Sequence, residues 1–164
     1  MKINIRPIQK SDNSQICGII RSVLEEYGGK KLGTAYYDHD TEYMFESYQG
    51  QNEVYYIIEV DGKVIGGGGV KHLAGTRQNI AEFQKFYILP LYRGMGLGKK
   101  LISLCIDFAR VQGYNAIYLE TFENMQAAQA IYKKYGFQYI DEPLGGTGHT
   151  SCPVWMLLNL KDEE

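Results

Sequence analysis

The sequence predicts an α/β domain of the α+β kind, in which a mixed, mostly antiparallel central sheet of about six or seven strands is flanked by helices. Three observations predict it. Extended, β-branched and aromatic segments come early and pair through a tight turn. One extended segment then runs through a glycine-rich turn into a long amphipathic helix and on to another strand, a βαβ-like passage. Two further extended segments close the chain. The 164 residues, 45% hydrophobic and 22% charged, suffice for one substantial core and are read as a single domain spanning 1–164.

Taken in order, residues 2–8 alternate Ile3 and Ile5 with polar neighbours, a short strand that Pro7 confines to an edge or an end. Ser11 and Asp12 are candidate caps for a helix carrying Ile16, Ile19, Ile20, Val23 and Leu24 at helical spacing and stopped by Gly28-Gly29. Tyr36, Tyr37, Tyr43, Phe45 and Tyr48 suggest a loop with a second short helix, a region able to shape a cleft. Val54–Val60, the Asp61-Gly62 turn and Lys63–Val70 form a hairpin. Four consecutive glycines, Gly66 to Gly69, mark either a close approach to that backbone or a glycine-rich bulge. Ala81–Ile88 is extended and closed by Pro90. A helix with Leu97, Leu101, Leu104, Cys105, Phe108 and Ala109 on one face follows, ending near Gly113. Ala116–Leu119 is a strand, Asn124–Tyr135 an alanine-rich helix stopped by Gly136, and Phe137–Ile140 and Val154–Leu160 are strands. The glycine-rich stretch 145–151 between them is expected to be a mobile loop able to border a substrate site.

A formal net charge of -2 gives no basic footprint for nucleic acid or an anionic membrane. No stretch approaches the roughly 20 apolar residues of a membrane span, and the N-terminus lacks the apolar core of a signal peptide, so the expected location is the cytoplasm. Cys17, Cys105 and Cys152 are odd in number and lie far apart, which speaks against a disulfide framework or a metal centre and for small apolar residues. His72 and His149 have no visible partner and are read as structural or exposed.

The most informative run is Tyr87 to Leu101, a strand leading through alternating glycines into a helix. It builds an anion site, because bare glycine backbone admits a ligand closely and a helix N-terminus offers unpaired N–H groups with a favourable dipole. A Walker loop would need glycine in place of Arg93 and a hydroxyl in place of Lys100; the dinucleotide fingerprint is broken by the strict alternation of Gly94, Gly96 and Gly98.

An Arg-x-x-Gly-x-Gly run (Arg93, Gly96, Gly98) preceded by a strand and Pro90, and followed a helix later by Tyr-x-x-x-Gly-Phe (Tyr132, Gly136, Phe137), resembles the GNAT acyltransferase superfamily. The likeness follows the whole chain in element order and is strongest from Ala81 to Phe137. It implies a GNAT-like fold and acetyl-coenzyme A as cosubstrate, with no metal. The backbone of Arg93, Gly94, Met95, Gly96, Leu97 and Gly98 would hold the pyrophosphate, and Phe86, Tyr87 and Ile88 would pair with pantetheine. It further implies that the Ile88 N–H polarises the thioester carbonyl and that the Tyr132 hydroxyl protonates the departing thiolate, packing of Tyr132 being the plainer alternative. The asparagine common in relatives seven residues before that tyrosine is Met125 here, with Asn124 shifted by one.

An alkylamine of pKa about 10.4 must lose a proton to attack. Glu82 is the candidate base, matching the glutamate of the histone-acetylating branch; a surface or salt-bridged carboxylate is the alternative. Glu120 and Thr121 end the next strand beside the same cleft. These readings imply direct acetyl transfer in a ternary complex to a primary amine of a small molecule. Acetylation of a protein N-terminus or lysine, and a non-catalytic acyl-coenzyme A sensor, are the alternatives. Homodimerisation is common among such domains and stays open.

Overall fold

The computed structural model describes residues 1–161. Seven strands form one sheet: β1 (Ile3–Pro7), β2 (Val54–Val60), β3 (Lys63–His72), β4 (Ile80–Ile88), β5 (Ala116–Thr121), β6 (Gln138–Tyr139) and β7 (Val154–Asn159), in the order β1-β2-β3-β4-β5-β7-β6. Every neighbouring pair is antiparallel except β4 with β5. Three helices cover the faces: α1 (Asn13–Glu26), α2 (Leu97–Val111) and α3 (Gln126–Lys134).

Each element follows from its local chemistry. β1 lies at the edge, where Pro7 leaves no central ladder short of a donor. Arg6 ties it to α1 and β2: its guanidinium donates to both Asp12 oxygens at 2.7 and 2.9 Å and to Glu59 at 2.5 Å. The buried row Ile16, Ile19, Ile20, Val23 and Leu24 seats α1 on one sheet face with Tyr55, Ile57 and Met44. Leu97, Leu101, Ile102 and Cys105 seat α2 on the other, together with Tyr132 and Phe137.

Between α1 and β2 the expected short helix is replaced by three 3-10 turns, Ala35–Tyr37, His39–Glu42 and Glu46–Tyr48. The aromatics there lack helical period. Two buried hydroxyls bind backbone instead: Thr34 Oγ1 donates to Gly29 O at 2.8 Å and Thr41 Oγ1 to Ala35 O at 2.6 Å, each drawing the chain into a turn.

The glycine run in β3 meets both readings at once. A Cβ on Gly67 would lie 2.6 Å from the Tyr55 ring, and one on Gly68 would lie 3.0 Å from Leu101 Cδ2, so the close approach comes from the protein's own side chains. A register shift at Gly67/Gly69 also places an extra residue in β4.

What positions the site is the brevity of the parallel pairing. β4 and β5 are joined only from Ile80–Glu82 to Ala116–Tyr118. Beyond that the bulge turns β4 away, while Leu119–Thr121 stay with β7, and a wedge opens between the two strands.

Candidate active site

The wedge holds two cavities that meet. The first, about 250 Å³, runs from the start of α2 along β4 and is walled by Val23, Tyr27, Phe86, Tyr87, Ile88, Arg93, Gly94, Gly96, Leu97, Gly98, Met125 and α3. Backbone supplies its polar chemistry. Gly94 and Gly96 have φ of 76° and 79°, the left-handed region where a side chain is strained. Gly96 caps α2 and no side chain bonds the helix's first turn, so the leading N–H groups and the positive end of the dipole are free for an anion.

Ile88 sits at the inner end. Leu89 N–H bonds to Ile65 O at 3.0 Å, so the alternation of the antiparallel ladder points the Ile88 N–H away from β3 and toward the wedge. The Arg93 side chain serves this strand end: its Nε donates to Ile88 O at 2.8 Å and its terminal nitrogens to Glu26 at 2.6 and 2.9 Å. Of the expected cofactor residues, Phe86, Tyr87, Ile88, Arg93, Gly94, Gly96, Leu97 and Gly98 line this cavity. The Met95 side chain is exposed outside it. Asn124 donates its amide to Tyr27 O at 3.2 Å, and Met125 takes the wall.

The second cavity is smaller and continues through Phe86, Tyr87 and Met125 to Phe83, Lys85, Glu120, Thr121, Tyr132 and Cys152. Tyr132 reaches it from α3. Its ring packs against Phe83, Phe86 and Phe137, with centroids 5.8 to 6.1 Å apart. Burial raises the pKa of its phenol well above the ordinary value, so it holds its proton as a donor.

Glu120 in the cavity wall and Glu82 and His149 behind it each offer an oxygen or nitrogen within 4.8 Å of the others. Glu82 is 4% exposed. Desolvation raises its pKa to about 6, opposed by the hydrogen bond from Gln84 Nε2 at 2.6 Å. Tyr48 holds that Gln84 in turn, its hydroxyl donating to Oε1 at 2.5 Å. Glu120 accepts from Tyr118 OH at 2.6 Å and from Thr147 Oγ1 at 2.5 Å. His149 lies 2.6 Å from Asp38 through Nε2 and 3.8 Å from Glu120 through Nδ1. Burial alone would lower its pKa, but the Asp38 hydrogen bond and charge prevail and raise it.

The sequence showed no partner for His149; the structure supplies Asp38, which lies far away in the chain. His72, by contrast, is exposed and meets only the Thr76 carbonyl at 3.0 Å. Asp38, Gln84 and Lys85 were not singled out, and Tyr48 was read only as one aromatic of a region able to shape a cleft. No motif marks them, because each becomes informative only through a contact between distant segments. The glycine-rich loop expected to be mobile is fastened: Gly146 N–H bonds to Ala74 O at 2.8 Å and Ser151 N–H to Gly33 O at 3.0 Å, besides the bonds of Thr147 and His149.

Comparison with known proteins gives consistent results. The profile described as the acetyltransferase (GNAT) family matches residues 24–137. The uncharacterised N-acetyltransferase YjgM of Escherichia coli K12 is 39% identical over 157 residues, covering 95% of this chain and 94% of that protein. An acetyltransferase of the GNAT family from Staphylococcus aureus Mu50 superimposes with a TM-score of 0.86 at 23% identity, over 98% of this chain and all of that one. YncA of Salmonella typhimurium, solved with its cofactor acetyl-CoA, gives 0.76 at 22% identity, over 100% of this chain and 97% of that one.

Proposed function

The chain belongs to the acetyltransferase (GNAT) family and is an acyltransferase, and on that premise we propose that it carries the acetyl group of acetyl-CoA directly to a primary amine of a small molecule. The observation that carries this reading is the meeting of the two cavities at Phe86, Tyr87 and Met125. A thioester led in along β4 ends where an amine in the second cavity can reach it.

The donor side fits coenzyme A. The uncapped start of α2 and the left-handed glycines suit its pyrophosphate, and the open edge of β4 suits the amides of pantetheine as an added strand would. The Salmonella relative solved with acetyl-CoA supports that choice. The Ile88 N–H then faces the thioester oxygen; one preorganised oxyanion donor is worth roughly 3 kcal/mol.

On the acceptor side, the two carboxylates draw in an ammonium, and Glu82, poised near pH 6, takes a proton that reaches it past Glu120 and His149. The freed nitrogen attacks the carbonyl carbon, the C–N bond forms, the C–S bond breaks as Tyr132 gives its proton to the departing thiolate, and the second proton shed by the acylated nitrogen restores the Tyr132 phenol. Cys152 lines the cavity, but burial pushes its thiol up to about 12, which leaves it protonated and a poor nucleophile. That supports transfer without an acyl-enzyme. The small volume of the second cavity, about 40 Å³, favours a small acceptor.

The test is thiol release from acetyl-CoA over amino acids, polyamines, aminoglycosides and peptides, for wild type and Tyr132→Phe. Amine-dependent release that falls at least about tenfold in the variant supports the reaction and the acid. Tight binding of acetyl-CoA with no release over the whole panel would make the protein a sensor.

A further inference from the structure

Lys85 occupies the extra position of the β4 bulge with φ of 50°. A residue other than glycine held there costs on the order of 1–3 kcal/mol and persists only where its surroundings enforce it. The enforcing contact is visible: the hydroxyl of Tyr55, a side chain 1% exposed, donates to the Lys85 carbonyl at 2.7 Å. The bulge is locked, and Lys85 is part of the wall of the second cavity.

Its ammonium has no match. Among the described residues no carboxylate comes within 4.0 Å of Lys85 Nζ and no acceptor takes a hydrogen bond from it, although the charges of Asp38, Asp40, Lys71 and Glu82 all act on it; since no fully buried side-chain nitrogen there lacks a partner, the Nζ is one that solvent reaches. Lys71, on the neighbouring strand, shows the contrast: its Nζ donates to Ser47 O at 2.5 Å and lies 4.4 Å from the Tyr48 ring centroid. Burial makes the Lys85 ammonium less comfortable and lowers its proton affinity. Half-buried in the cavity wall and without an ion-pair partner, the ammonium is open to an anion that enters the second cavity.

We propose that Lys85 receives a carboxylate of the acceptor, and that the acceptor is therefore a free amino acid, with its ammonium toward Glu120 and Glu82 and its carboxylate toward Lys85. This rests on the second cavity being the acetyl-acceptor site. A polyamine would bring a second cation against Lys85, and a simple amine would leave the lysine unmatched. A zwitterion satisfies both ends of the cavity.

The experiment compares kcat/KM for a series of amino acids with that for their carboxamides and decarboxylated amines, in wild type, Lys85→Arg and Lys85→Met, with acetyl-CoA affinity measured in parallel. Wild type should favour the acid over its amide by at least about tenfold, since a charge-assisted contact is worth roughly 1.5–3 kcal/mol. Lys85→Arg should keep that preference. Lys85→Met should bring the ratio close to one, chiefly by raising KM for the acid, with acetyl-CoA affinity unchanged. Equal turnover of acid and amide by wild type overturns the inference while leaving the acetyltransferase reading intact. So does a ratio that Lys85→Met preserves. Absence of release with every amine, despite acetyl-CoA binding, removes the reading beneath it and this inference with it.

Discussion

The two halves of the β4/β5 wedge are built from different materials. The donor half is backbone: left-handed glycines, an uncapped helix start and a strand edge, all between Phe86 and Gly98. The acceptor half is side chains brought together from β4, β5, the turns before β2 and the loop before β7: Glu82, Glu120, Asp38 and His149. Backbone recognition leaves a dense, contiguous trace in the sequence, because glycine and helix signals must stand at fixed offsets. Side-chain recognition leaves isolated letters. On the proposed function one half sets donor affinity and the other proton traffic, so the halves should be open to separate damage.

The largest expected effect tests that separation. Replacing the acceptor-side base in Glu82→Gln should lower kcat by roughly 10²- to 10⁴-fold, the usual worth of a positioned base. Wild-type kcat/KM should rise with pH through about 6, where Glu82 loses its proton, and that limb should vanish in the variant. Acetyl-CoA affinity by calorimetry should not move. A matching loss of affinity would show that the halves are one unit.

The reciprocal change is Gly96→Val. A β-branched side chain at φ 79° is strained by about 1–3 kcal/mol, so acetyl-CoA should bind roughly tenfold more weakly, with kcat at saturation nearly kept. A Gly96→Val enzyme whose kcat collapses while its affinity stays would reverse the assignment.

The same contrast explains what could be read beforehand. The seven strands and three helices follow from local period and punctuation: alternation in Ile3–Pro7, the Asp61-Gly62 turn, the apolar face of Leu97–Val111, and the stop at Gly136. The donor cavity was legible through the spacing of Arg93, Gly96 and Gly98. Glu82 and Tyr132 came from the family pattern, and the structure sets Tyr132 in the cavity wall and Glu82 just behind it. Residues 30–48 misled because their order comes from Thr34 and Thr41 hydroxyls on backbone and from burial of Met44 and Tyr48, none of which has a period. The partner of His149 was not legible because Asp38 stands 111 residues away.

A smaller effect falls on stability. Glu82 keeps its proton up to about pH 6 in the folded chain, against 4.5 for a glutamate in water. Between those values the folded state binds more protons than the unfolded one, so this group's contribution to stability falls as pH rises through that window. The shift corresponds to about 2 kcal/mol above pH 6. Glu82→Gln removes the buried charge and should raise Tm by a few degrees at pH 8 while leaving it nearly unchanged at pH 4. An inactive variant that gains stability in this way marks a carboxylate kept for chemistry; a less stable one would make Glu82 a structural partner of Gln84.

The smallest expected effect reads coupling inside the acceptor half. Asp38 raises the His149 pKa, and the positive charge on His149 lowers that of Glu82. Asp38→Asn keeps the size of the side chain but withdraws the charge, so His149 should lose its proton at lower pH. Glu82, no longer facing a cation, should then hold its proton to higher pH, and the acid limb of kcat/KM should move upward by less than about one unit. Asp38 is not among the residues that line the donor cavity, so acetyl-CoA affinity should stay constant. An acid limb that keeps its place in Asp38→Asn would detach His149 from the proton path and leave it as a strut holding the loop before β7 against the turns that follow α1.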